Sequence, residues 1–170
     1  MKILIIYSSV TGNTRAVAEA IAKSLPDGAD LVPANAVTEN PAGYDLVFAG
    51  FWAFRRGADL MAQRAMSFLH GQKVAVFGTC GAYPDSDAAR VYQQNAAAVA
   101  AADNVCLGTF LCQGRVHSYH IKSQHKMEST VQPMTPERKA RLEEAEKHPD
   151  AQDFANAAAW AAAMVEKVRA

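Results

Sequence analysis

The run KILIIY, Lys2–Tyr7, constrains this chain more than any other stretch. It is almost continuously apolar and partly β-branched. That is the pattern of a strand buried on both faces, and such strands belong to parallel sheets covered by helices on either side. A Ser/Thr/Gly turn follows at once. Val17, Ile21 and Leu25 then recur at i, i+4 and i+8 beside Ala18 and Ala22, which predicts a helix with one apolar face, stopped by Pro26 and Gly28. The alternation continues. Strands are predicted at 29–34, 45–50, 73–78 and 105–114, with Pro33 placing the end of the second near a sheet edge. Helices are predicted at 60–69 and 86–102, the latter with Asp85 or Ser86 as N-cap. Strands alternating with helices imply βαβ units, and the right-handed crossover rule leaves few topologies. Five strands in this length suit the doubly wound order 2-1-3-4-5.

The last third is different. A polar excursion covers about 115–150, and no secondary structure is assigned to 115–135. Within it, TPERKARLEEAEK predicts a charged amphipathic helix over 136–147, with Thr135 as N-cap and Pro136 at the first helical position. A final helix over 151–168 puts Phe154, Ala158, Ala161, Val165 and Val168 on one face, which should pack on the sheet. With 170 residues and no internal repeat, a single domain spanning 1–170 is expected.

Lys plus Arg and Asp plus Glu number 17 each, so the formal net charge is zero. That argues against a nucleic-acid binder, which usually shows a basic excess. Cys80, Cys106 and Cys112 have no C-x-x-C spacing and read as free thiols of a reducing compartment. Cys106 and Cys112, six apart on one predicted strand, should share a face as core thiols. The apolar N-terminal run is too short for a signal peptide, and no stretch approaches the ~18–20 apolar residues of a membrane span. A soluble, cytoplasmic protein is expected, with no membrane partner.

In an open parallel sheet of this order, ligands bind beyond the carboxyl ends of the strands, at the switch point between strands 1 and 3. The three loops there carry unusual residues. Loop one, SSVTGNT, runs into a helix N-terminus, where free N–H groups and the helix dipole favour an anion. Ser8, Ser9, Thr11 and Thr14 offer hydroxyls, Gly12 permits close backbone approach, and Asn13 can cap or donate. The spacing is neither G-x-x-x-x-G-K-[ST] nor G-x-G-x-x-G, so a triphosphate loop and a dinucleotide fingerprint are both excluded. A terminal phosphate held by neutral donors remains. Loop two, GFWAFRRGAD, brings Phe51, Trp52 and Phe54 together, and at least one should face a flat apolar ligand. Loop three, GTCGAYPDS, offers two glycines and Tyr83 as a further stacking group. By residue type alone, each loop also suits a plain structural role: a capped turn, packed aromatics, an ordinary strand-to-helix connection.

Taken together, IIYSSVTGNTRAVAEAI (Ile5–Ile21) and the two aromatic loops resemble the flavodoxin family, and residues 1–114 look like its short-chain core. The resemblance implies a flavodoxin-like three-layer α/β sandwich that binds FMN non-covalently. It implies that Ser9, Thr11, Asn13 and Thr14, with the backbone of Val10 and Gly12, hold the phosphate. It places the flavin ring between Tyr83 and the aromatic loop (Phe51, Trp52, Ala53, Phe54), with backbone groups of Thr79, Cys80, Gly81 and Ala82 at its pyrimidine edge. The peptide that meets flavin N5 is assigned to Gly57. Two departures stand out. Flavodoxins are usually acidic, whereas this chain is neutral. The second loop reads Phe54-Arg55-Arg56-Gly57 where an acidic residue and a glycine are usual. Arg55 and Arg56 should stabilise a negatively charged reduced flavin and make the second one-electron potential less negative than is usual for the family.

The function implied is that of an electron carrier between redox partner proteins, with no catalytic side chain, as a monomer or weak dimer. The alternative is an NAD(P)H-dependent FMN or quinone reductase on the same fold, with the 115–150 excursion supplying a nicotinamide pocket. A flavin-free module of the same architecture is the third reading. His117, His120 and His125 read as exposed loop histidines, and no metal site is expected.

Overall fold

The computed structural model describes residues 1–117 and 133–170. The KILIIY run forms the centre of the molecule. Strand β1 (Ile3–Tyr7) lies between β2 (Asp30–Pro33) and β3 (Leu46–Phe54), parallel to both. Outward from β3 follow β5 (Lys73–Cys80) and β6 (Val105–Gln113), giving the parallel order β2-β1-β3-β5-β6. That is the expected doubly wound order. The one addition is a short strand, β4 (Gly57–Ala58), paired antiparallel to the end of β3. Pro33 closes β2 on the edge, where its missing N–H costs no ladder bond.

Helices α1 (Asn13–Ser24) and α5 (Ala151–Arg169) cover one face of the sheet, burying Ile5, Val17, Ile21, Phe48, Ala161 and Met164. Helices α2 (Leu60–Ser67) and α3 (Asp87–Ala100) cover the other, over Leu4, Val47, Ala65, Val74 and Val76. Glycines make room for aromatics across the ladder. Gly50 pairs with Phe77 and Gly78 with Phe51. A β-carbon at Gly50 would sit 2.4 Å from the Phe77 ring, and one at Gly78 would sit 2.6 Å from the Phe51 ring. Helix α4 (Pro136–Ala145) is capped by the Thr135 hydroxyl and opens with Pro136, as expected from TPER. None of the described helices is long and apolar enough to cross a membrane.

Four expectations are corrected. Residues 50–59 are not an open loop: β3 continues to Phe54, and the chain doubles back through Arg55-Arg56 into β4. No Asn-Gly marks this turn, so the local pattern gave no signal. Strand β5 likewise runs past Gly78 to Cys80. Cys106 and Cys112 lie on opposite faces, because Leu107 is an extra residue where the register with β5 slips between Val74 and Ala75. A one-residue bulge inverts the parity of everything after it. The buried stripe of α5 centres on Ala157, Ala161, Met164 and Val165, with Ala158 at its margin.

Candidate functional site

The three loops converge at the carboxyl end of the sheet. Gly12 takes a left-handed conformation (φ 90°) as N-cap of α1, and no side chain caps that helix. The other described α-helices are capped by Asp59, Ser86, Thr135 and Asp150. The first-turn N–H groups of α1 are therefore left for another acceptor, which the positive end of the helix dipole requires to be electron-rich. The Ser9 hydroxyl is buried beside them without a hydrogen-bond partner. A buried hydroxyl is rarely left in that state.

Three further side-chain donors of loop one are used by the fold. Ser8 is buried and donates to the Asp59 carboxylate at 2.7 Å. Thr14 is buried, donates to the Phe51 carbonyl (3.3 Å) and lies 2.9 Å from the Thr79 hydroxyl. The Asn13 amide donates to the Arg115 carbonyl at 2.9 Å. Val10, Thr11 and Gly12 are exposed. Thus Val10, Thr11 and Gly12 are exposed and the Ser9 hydroxyl is buried without a partner, while the side chains of Ser8, Asn13 and Thr14 tie loop one to its neighbours.

Loop two is a rigid hairpin. Phe51 is a core residue, only 1% exposed, packed on Gly78. Trp52, Ala53 and Phe54 are partly exposed, and the Trp52 and Phe54 rings lie 5.3 Å apart. Beneath them Asp59 is 2% exposed and accepts four hydrogen bonds. Oδ1 takes Ser8 Oγ (2.7 Å) and the N–H groups of Met61 and Ala62 (both 3.0 Å), while Oδ2 takes the Trp52 N–H (3.2 Å). The Asp59 N–H in turn donates to the Trp52 carbonyl at 3.1 Å. One carboxylate therefore caps α2, fixes Ser8 and fixes the backbone of the outward-facing tryptophan. Gly57 is buried in β4, next to the turn.

Loop three proper is short, since Thr79 and Cys80 still belong to β5. Burial pushes the Cys80 thiol up to about 11, so it is a neutral core thiol, and its Sγ donates to the Ala82 carbonyl at 3.3 Å. Burial also raises Cys112. The Gly81 carbonyl accepts from Gln113 Nε2 and from Arg141 Nη1 of α4, each at 3.4 Å. Val116 packs so closely that a β-carbon at Gly81 would lie 2.3 Å from it. Tyr83 stands 40% exposed at the rim. The chain leaving β6 thus braces loops one and three. It is itself held at the α4–α5 junction, where the Arg115 N–H donates to the His148 carbonyl (3.1 Å) and its guanidinium pairs with Glu146 (3.1 Å). His117 is exposed, and His120 and His125 lie outside the described residues.

The geometry offers an anion seat at α1, a wall of partly exposed aromatics, and a glycine loop fixed from behind. It suits binding and orienting a phosphorylated planar group. Asp59, Gln113 and Arg141 were not singled out in the sequence. For Asp59 the signal was present, an Asp directly before an apolar helical pattern, which is an N-cap signature. Nothing local marks Gln113 or Arg141, whose partners are 32 and 60 residues away.

A family model described as a flavodoxin domain matches residues 4–162. The flavodoxin-like domain-containing protein BilS of Clostridioides difficile (strain CD3) is 30% identical over 173 residues, covering 98% of each chain. Oxidised flavodoxin 2 from Bacillus cereus is similar in structure, with TM-score 0.57 and 20% identity over 98% of this chain and 99% of that one. A flavoprotein from Lactobacillus acidophilus NCFM, solved in complex with FMN, gives TM-score 0.51 and 16% identity over 76% of this chain and 99% of that one. At these identities the two structures speak for the fold alone.

Proposed function

Because this chain belongs to the flavodoxin domain family, we propose that it is an FMN-binding electron carrier serving redox partner proteins. The observation that carries the reading is the uncapped start of α1 with the partnerless buried hydroxyl of Ser9 beside it. These donors suit one anion, and the described residues arrange no lysine and no carboxylate there for a metal-bound triphosphate. Ser9, Thr11 and the backbone N–H groups of residues 10–14 would hold the phosphate. Trp52, Phe54 and Tyr83 would flank the flavin ring, and the backbone of 79–82 would meet its polar edge. Bound FMN would supply electron transfer in single-electron steps.

The protein's own part is to bind, orient and exclude water. Ser8 and Asp59 keep Trp52 in place, Gln113 and Arg141 hold the third loop, and Asn13 ties α1 to the chain beyond β6. The neutral Cys80 takes no part in the chemistry.

The test is a titration of flavin-free protein with FMN and with riboflavin, followed by flavin fluorescence. FMN should bind at least ~100-fold tighter, since a phosphate on a helix N-terminus contributes several charge-assisted hydrogen bonds. Ser9→Ala should weaken FMN and leave riboflavin unchanged. Equal affinities, or none, would overturn the reading. Rapid bleaching of the loaded protein by NADPH without any partner would point instead to the reductase alternative.

A further inference from the structure

The tip of the β3–β4 hairpin carries side chains that its backbone does not favour. Arg55 and Arg56 both have positive φ, 45° and 70°. A two-residue turn of this kind prefers Asn-Gly, because an L side chain in the left-handed region is strained. The tip is nevertheless fixed. Phe54 pairs with Gly57, Ala53 pairs with Ala58, and Asn95 donates to the Arg56 carbonyl at 2.7 Å. Strained residues held by over-determining surroundings cluster at functional sites. Neither guanidinium has a carboxylate partner among the described residues, whereas Arg15, Arg90, Arg115 and Arg169 are all paired. Immediately after the hairpin, Leu60 and Met61 are 71% and 40% exposed in the first turn of α2, followed by exposed Arg64. The single acid of Arg55–Arg64, Asp59, is turned inward. On a chain of zero net charge, three exposed arginines and two exposed apolar side chains thus fall within ten residues that present no acid to solvent.

We infer that this knob is the docking surface for a protein partner with an acidic face. The arginines steer the encounter and pair at the rim, and Leu60 and Met61 make the dry contact. The inference rests on the electron-carrier reading, since β3 also carries Trp52 and Phe54. A partner on the knob sits at the mouth of the cofactor site. The exposed apolar pair is aliphatic and the chain carries no net basic excess, which suits a protein surface better than nucleic acid, where a wider basic field is the rule.

The probe is cytochrome b5, an acidic haem protein, titrated into the full ¹⁵N-labelled chain, with basic cytochrome c and a single-stranded DNA oligomer as comparisons. Cytochrome b5 should shift amides of residues 55–64, with affinity falling steeply toward roughly 0.2 M salt. Arg55→Asn with Arg56→Gly relaxes the turn, so it should raise the melting midpoint while weakening cytochrome b5 at least ~10-fold. Leu60→Gln should weaken binding without changing its salt dependence. Unaltered binding by the Asn-Gly variant, a lower melting midpoint for it, or a stronger response to cytochrome c or DNA would overturn the proposal. Flavin absorbance of the same samples keeps the two readings apart. A chain that holds FMN but ignores cytochrome b5 refutes the docking surface alone; one that docks but never takes up flavin refutes the carrier alone.

Discussion

Replacing Asp59 by Asn should destabilise the protein even though the two residues are equal as helix N-caps. If the carboxylate only capped α2, Asp59→Asn would be close to neutral, because Asn and Asp cap equally well. The geometry says otherwise. Both oxygens are in use, with Oδ1 facing three donors and Oδ2 facing the Trp52 N–H. An amide has one acceptor oxygen. The less costly rotamer keeps that oxygen on the Ser8 side and turns NH₂ against the Trp52 N–H. This orphans one partly buried donor, for about 1–3 kcal/mol, and removes charge assistance from the other three bonds. The sum is about 2–3 kcal/mol, a fall of roughly 5–10 °C in melting midpoint for a chain of this size. Asp59→Ala leaves Ser8 Oγ and Trp52 N–H without an acceptor and uncaps α2, for about 4 kcal/mol. Urea denaturation followed by far-UV circular dichroism measures both. FMN affinity should fall in Asp59→Asn as well, since the Trp52 backbone is no longer fixed. Asp59→Asn within about 0.5 kcal/mol of the parent would refute the network and leave a plain helix cap.

Removing charge with Arg55→Ala and Arg56→Ala should make the second one-electron potential more negative by roughly a few tens of mV, the scale expected when two solvent-screened positive charges are lost near a reduced anionic flavin; an unchanged redox titration would defeat that expectation. Gly50→Ala should cost about 2–3 kcal/mol by thermal denaturation, because its β-carbon would meet the Phe77 ring at 2.4 Å and overpack the sheet face. Arg141→Leu should weaken FMN binding by a few-fold to ~10-fold, with partial rescue by Arg141→Lys, because it removes a donor from the Gly81 carbonyl. The pKa of His148 is raised, chiefly by its 2.5 Å hydrogen bond to Asp153. A raised folded value means that its stabilisation is fully present below the unfolded value of ~6.5 and is lost as pH rises through the folded value. The stability gap between the parent and His148→Gln, read from urea midpoints, should therefore be wide at pH 6 and narrow at alkaline pH.

The sequence by itself determined the architecture. Buried parallel strands read as apolar runs because both faces are covered, and Gly12, Ser86, Thr135 and Pro136 act within one turn of helix, so their meaning is local. The tertiary structure decided what those local parts are used for. A bulge at Leu107 separated Cys106 from Cys112, and a strained arginine turn converted a presumed loop into a hairpin. The Ser8 hydroxyl found its partner in a carboxylate 51 residues away. Arg141, on a helix that reads as merely solvated, reached loop three across 60 residues. Side-chain types and spacing carry a residue's capacities. The partner that uses each capacity is set by which strands end beside one another, and no local pattern encodes that.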